Sequence, residues 1–298
     1  MMKTIWQLQR QQNFNTMTVH ELKGKFNYCM HGLGAFAGVR QTNTKEAFLR
    51  WYKKGVKVFE FDIGKTTDNK YVAVAHTVDE KSMRRMEVFE KPNVYDFDWF
   101  MKQTLFSLST KGLTPISLQN IIDMLSEYKD TVFMLDLFGM FTEEQILNFL
   151  DVLSLCIGEK TELKERFLIE AYTTETVAIV SKLGYKGIYC ARYEYNMGEN
   201  DVDAVISFLK ENSVLFISYP FMYTEKFPGE IEKYSEGGMT VFSRTKYNNK
   251  NKKLMDCGVS VNIVSYVFDK KVCVFQYLRY MLACTRRLLA KIYVRIKY

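Results

Sequence analysis

The sequence predicts an α/β fold, a (β/α)8 TIM barrel with a hairpin insertion after the second strand and a basic C-terminal helical tail. Three observations carry this expectation. Eight short apolar runs rich in Val, Ile, Phe and Tyr recur along the chain, segments of helical spacing separate most of them, and 298 residues is a length that one such barrel fills.

The first strand is expected at 27–31, ending on His31, and the second at 57–62 (KVFEFD) after a helix over 44–54 that Gly55 stops. Residues 71–76 (YVAVAH) break the parallel scheme. Only eight residues separate Asp62 from Tyr71, fewer than a parallel crossover needs, so a hairpin with Asp68 and Asn69 in its turn remains. A turn centred on residue 69 sets His76 opposite Asp62. The segment 78–116 lacks a strand pattern but carries Phe89, Tyr95, Phe97, Trp99 and Phe100, and reads as an inserted loop or short helices capping the barrel mouth. Further strands follow at 131–136, 167–171, 187–191, 214–218, 240–244 and 260–264, with helices at 117–128, 142–155, 174–183, 201–211 and 248–256. Gly184 and Gly258 follow two of these helices as stops. Residues 26–268 read as one domain between an N-terminal extension, 1–25, and a last barrel helix with a basic amphipathic tail, 269–298.

Chemistry enters at the second strand. Residues 60 and 62 are two apart, so Glu60 and Asp62 share one face, and beside the apolar Val58, Phe59 and Phe61 that face points into the barrel mouth. Neighbouring carboxylates in such a place repel one another unless a cation lies between them. Oxygen ligands suit a hard divalent metal, Mg2+ or Ca2+, and Asp136, closing the next barrel strand, adds a third acid at the same height. His31 and His76, two of only three histidines, fall beside these acids. They form an acid–base pair, able between them to accept one proton and donate another near neutral pH.

The stretch 31–76 resembles the opening of the glycerophosphodiester phosphodiesterase family, one of the PLC-like phosphodiesterases. The matching elements are His31, Asn43-Thr44, Ala47-Phe48, Gly55, Glu60 with Asp62, Thr67-Asp68 and His76. Downstream, SLQNIIDML at 117–125, FMLDL at 133–137 and MTVFSRTKYNN at 239–249 resemble later family segments, with Asp136 at the position of an acidic ligand. The resemblance implies metal-dependent hydrolysis of a glycerophosphodiester, a lipid headgroup diester or a glycerol-phosphate substituent of a surface polymer, to a phosphomonoester and an alcohol. Gly32-Leu33 stands where the family has Arg-Gly, and Phe138 where it has Lys. Arg40, Arg192, Arg244 and Lys246 are the candidate substrate-binding cations in their place. The sphingomyelinase D type shares the two-histidine and Glu-x-Asp pattern, so phospholipid cleavage through a cyclic phosphate is an alternative. An inactive barrel acting as a membrane-associated binding protein is another.

The net charge of +7 belongs to the tail. Residues 270–298 carry eight Lys or Arg and no acid, and removing them leaves 33 basic against 34 acidic residues. The first part of the tail is expected to pack Val274, Leu278, Met281 and Leu282 on the sheet. The final part, 285–298, has the character of a membrane-surface segment. No motif accompanies this charge to suggest nucleic acid. Six scattered cysteines without a paired spacing read as reduced thiols. With neither a signal-peptide pattern nor a long apolar run, the expected location is cytoplasmic, with peripheral contact at the inner membrane surface.

Overall fold

A computed structural model describes residues 28–75, 77–110, 112–193, 201–223, 226–227, 229–245 and 258–264, together with 281, 282, 285, 288, 289 and 292. Strands β1 (Tyr28–Met30), β2 (Val58–Lys65), β4 (Val132–Asp136), β5 (Phe167–Ala171), β6 (Lys186–Cys190), β7 (Phe216–Pro220), β8 (Thr240–Thr245) and β9 (Val259–Val264) are all parallel. Because β1 pairs with both β2 and β9, the sheet closes into the predicted eight-stranded barrel.

Alternation along each strand then sorts the side chains. Cys29, Val58, Val132, Met134, Leu168, Ile188, Phe216, Phe242, Val261 and Ile263 fill the lower barrel interior as one apolar cluster. Two residues further along the same inward faces the chemistry changes to Glu60, Asp136, Glu170 and Arg244. These lie at the C-terminal strand ends, where TIM-barrel enzymes place their sites. The intervening residues point outward onto the helices, as in α1 (Lys45–Lys53), which buries Ala47, Phe48 and Trp51 against the barrel.

The hairpin is present, in a register different from the one expected. Strand β3 (Tyr71–Ala73) runs antiparallel to β2 with Ile63 facing Ala73 and Lys65 facing Tyr71. The turn is thus centred on Asp68, and the register in line with Asp62 falls on residue 74 rather than 76. Asn69 takes a left-handed φ of 63°, and the Thr66 hydroxyl donates to Asp68 and accepts from the Lys70 amide, pulling the turn one residue earlier. His76 itself lies outside the described residues.

The insertion folds as two short helices, α2 (Glu80–Arg85) and α3 (Phe97–Met101), capped by the Asp79 and Asp96 side chains. Val74, Val78, Met83, Met86, Phe100 and Phe106 give it a small core of its own. Helices α4 (Leu118–Glu127), α5 (Glu143–Ile157), α6 (Thr174–Lys182) and α7 (Val202–Glu211) match the expected spans within one or two residues. Strand β7 begins two residues later than expected, since the Val214 amide completes the end of α7 by donating to Leu209 instead of joining the sheet. Among the described residues one α-helix, α8 (Glu230–Glu236), and a 3-10 turn at Thr161–Arg166 are not among the expected elements. Seven residues with Ile231 and Tyr234 buried present too little of the helical period to read.

The expected helix 248–256, the extension 1–25 and most of the tail fall outside the described residues. Met281 and Leu282, expected to pack on the sheet, are 45% and 64% exposed, so they do not contribute to the barrel core. Among the described residues no helix is long and apolar enough to cross a membrane.

Candidate active site

The loop leaving β1 holds the second strand's acids in place. Gly32 has φ +52°, which turns its amide toward Glu60, and that N–H donates to Glu60 Oε2. The Gly32 carbonyl accepts from the Asn43 amide at 3.0 Å, and Asn43 clamps Asp62 twice. Its Nδ2 donates to Asp62 Oδ2 at 2.7 Å, and its Oδ1 accepts from the Asp62 amide at 3.1 Å. His31 stands over this pair with Nε2 3.9 Å from Glu60 Oε1. The Gln41 amide nitrogen, 2.8 Å from Nδ1 and 3.0 Å from Nε2, fixes the imidazole edge.

On the other side of Glu60 lies a second group. Asp136 Oδ1 accepts from the Tyr172 hydroxyl at 2.5 Å and the Phe138 amide at 2.9 Å, while Oδ2 accepts from Arg244 Nη2 at 3.1 Å. The same nitrogen donates to Glu170 Oε2 at 2.5 Å. The three acids expected to share one cation therefore divide. His31, Glu60 and Asp62 can each bring a ligand atom within 4.8 Å of the others, as can Glu60, Asp136 and Glu170. Glu60 and Glu170 each keep Oε1 buried without a hydrogen-bond donor among the described residues. Acids so placed fit a divalent cation.

Above them opens a cavity of about 480 Å3. Arg40 and Arg244, both candidates from sequence, line it beside His31, Asp62 and Asp136, and the insertion adds Arg85 and Met86 to its wall. Arg192 does not line it. Its guanidinium pairs with Glu230, Nε to Oε2 at 3.0 Å, and lies over the Phe227 ring, so it is engaged within the wall of the fold and does not face this cavity. Lys246 lies outside the described residues.

Sequence reasoning missed Glu170, Gln41 and Arg85. For Glu170 a signal existed, an acid in the apolar run FLIEA. Gln41 and Arg85 sit in polar surroundings and gave none.

Electrostatics separates the groups. Burial pushes Glu60 well up, with Asp62 adding to the rise, and burial likewise lifts Glu170 to about 8. Asp136 is held below its ordinary value by Arg244 and its hydrogen-bond donors, which outweigh its burial. Burial and then Arg244 lower His31 to about 3, so at neutral pH it is unprotonated, the form that accepts a proton.

These directions predict a stability profile. Glu170 keeps its proton in the folded state up to about 8 but loses it near 4.5 when unfolded, so stability falls as pH rises between those values. His31 acts oppositely between about 3 and 6.5. The two offset below pH 6.5, and above it the acids act alone. In chelator, stability is expected to fall between pH 6.5 and 8 by up to about 1.4 kcal/mol per pH unit for each proton. Glu170→Gln should make that slope shallower in urea unfolding followed against pH. An unchanged slope would refute the assignment.

No family model and no curated relative matches the chain. Solved structures do. A glycerophosphodiester phosphodiesterase from Parabacteroides distasonis superposes with a TM-score of 0.61 at 15% identity, covering 89% of this chain and 99% of that one. The fold is that of the glycerophosphodiester phosphodiesterases. The Thermotoga maritima glycerophosphodiester phosphodiesterase matches with a TM-score of 0.56 at 16% identity, covering 80% of this chain and 95% of its own. An Oleispira antarctica phosphodiesterase, in complex with the product sn-glycerol-3-phosphate, gives 0.57 at 14% identity and covers 80% of this chain and 93% of its own.

Proposed function

We propose that the chain is a metal-dependent phosphoric diester hydrolase that converts a glycerophosphodiester to a phosphomonoester and an alcohol. The observation that carries this reading is the grouping of His31 with Glu60 and Asp62 at the mouth of a barrel shared with glycerophosphodiester phosphodiesterases. That the similar Oleispira antarctica phosphodiesterase is in complex with the product sn-glycerol-3-phosphate supports a small phosphodiester as substrate.

A divalent ion, Mg2+ or Ca2+, would be held by Glu60 and Asp62, with Asp136 the third acid expected from sequence. Bound there, it would polarise the phosphoryl oxygens and offset charge as the phosphorane forms. Arg40 and Arg85 in the cavity lining would bind the phosphate, and Arg244, whose Nη2 is shared among Glu60, Asp136 and Glu170, adds positive charge at the floor, together replacing that absent at Gly32 and Phe138. One of His31 and His76 takes the proton of the attacking hydroxyl, from water or from the substrate's own glycerol, and the other returns a proton to the leaving alkoxide. Exposed Leu288, Leu289 and Ile292 support peripheral membrane contact through 285–298, which would bring the site to lipid-derived diesters at a cytoplasmic surface.

The test is a diester panel assayed with Mg2+ or Ca2+. Release of glycerol phosphate or another phosphomonoester is expected, falling at least about a hundredfold in chelator and returning when metal is restored. Activity that survives chelation would sink the metal role. Failure to cleave any diester would favour a binding protein, and a cyclic phosphate product would identify internal attack as in the sphingomyelinase D type.

A further inference from the structure

At the cavity floor three acids from three strands face one arginine from a fourth. Arg244 Nη2 is 2.5 Å from Glu170 Oε2, 3.1 Å from Asp136 Oδ2 and 3.5 Å from Glu60 Oε1. Glu60 and Glu170 have 0% exposure, and each leaves Oε1 without a donor among the described residues. Buried oxygens of this kind demand a positive charge or a proton. A guanidinium stands among them.

We propose that Arg244 is the resident cation of the Glu60–Asp136–Glu170 group, keeping Asp136 and Glu170 out of metal ligation and leaving a divalent ion one seat, beside His31, Glu60 and Asp62. This rests on the metal reading above and narrows it, since Asp136 leaves the ligand set. Three arguments support it. Both oxygens of Asp136 are already engaged, by Tyr172, the Phe138 amide and Arg244. A fixed guanidinium also repels a second cation from the acids it touches. Finally, Arg244 projects from a barrel strand with its Cζ 5.8 Å from the Tyr193 ring centroid, so its position is set by the fold. Glu60 belongs to both groups, so Arg244 also draws on the charge available to the metal.

The test is Ca2+ titration of the full chain by calorimetry, with melting curves in chelator and in Ca2+. The wild type is expected to bind one equivalent. Arg244→Gln should bind a second, melt below the wild type in chelator and recover when Ca2+ is added. Glu170→Gln alone should keep one equivalent at unchanged affinity. An Arg244→Gln protein that binds Ca2+ like the wild type and is not restored by it would overturn the proposal. So would loss of the Ca2+ site in Glu170→Gln, which decides the matter even if the arginine variant does not fold. A wild type that binds no Ca2+ would instead refute the metal reading, and a gain of Ca2+ by Arg244→Gln would still uphold the role of the arginine.

Discussion

His31→Ala is expected to lower kcat by about 10^2- to 10^4-fold, the range for loss of a positioned acid–base group, while leaving divalent-ion affinity close to that of the wild type. His31 is close enough to Glu60 and Asp62 to share a cation with them, so the same loss of rate has two explanations. They differ in what else moves. If the imidazole transfers a proton, calorimetric Ca2+ affinity is preserved and the rate defect persists at saturating metal. If it is a ligand, affinity falls and excess metal restores the rate. Gln41→Ala, which removes the amide that fixes the ring, should cost less than His31→Ala and act through kcat, because the imidazole remains and only its orientation loosens.

The parts of this molecule that were legible in sequence are those set by local patterns. An apolar run with an acid two residues from another acid fixed both a strand and the face its carboxylates share, and Glu60 and Asp62 lie where that reasoning put them. The hairpin was legible as a hairpin, yet its register followed from a side-chain bond between Thr66 and Asp68 that residue spacing does not reveal. Glu170 also sits in an apolar strand, but Leu168 and Tyr172 flank it at two residues, so it lacks the second acid that makes the Glu60–Asp62 face conspicuous. The pairing of Arg244 with Asp136 and Glu170 was beyond reach for a different reason. These residues are 108 and 74 positions apart from it, and only closure of the barrel brings β8 across from β4 and β5. Arg192 illustrates the converse. At a strand end it read as a substrate cation, but the short helix that carries its partner Glu230 left no periodic trace, so its neutralisation was invisible.

Gly32→Ala is expected to lower both stability and turnover, and its effect on turnover should be far larger than its effect on folding. The residue has φ +52°, a conformation that costs an L side chain roughly 1–2 kcal/mol. An added Cβ would also meet the Gln41 Cα at 2.7 Å and Asp62 Oδ2 at 3.2 Å, so the loop must move. That loop carries the amide that donates to Glu60, the carbonyl that accepts from Asn43, and His31 one residue away. A displacement of about 1 Å at such a point costs on the order of a hundredfold in rate. Gly184→Ala supplies the control. Gly184 has a similar φ of 81° with no described residue within 4 Å of the added carbon, and it precedes β6 at the end of the barrel away from the site. It should lower the melting temperature by a few degrees, as backbone strain alone does, and leave kcat unchanged. Equal melting losses with a rate defect confined to Gly32→Ala would show that the glycine after His31 serves the geometry of the acids. Parallel losses in both rate and stability for the two variants would show that position 32 matters only for folding.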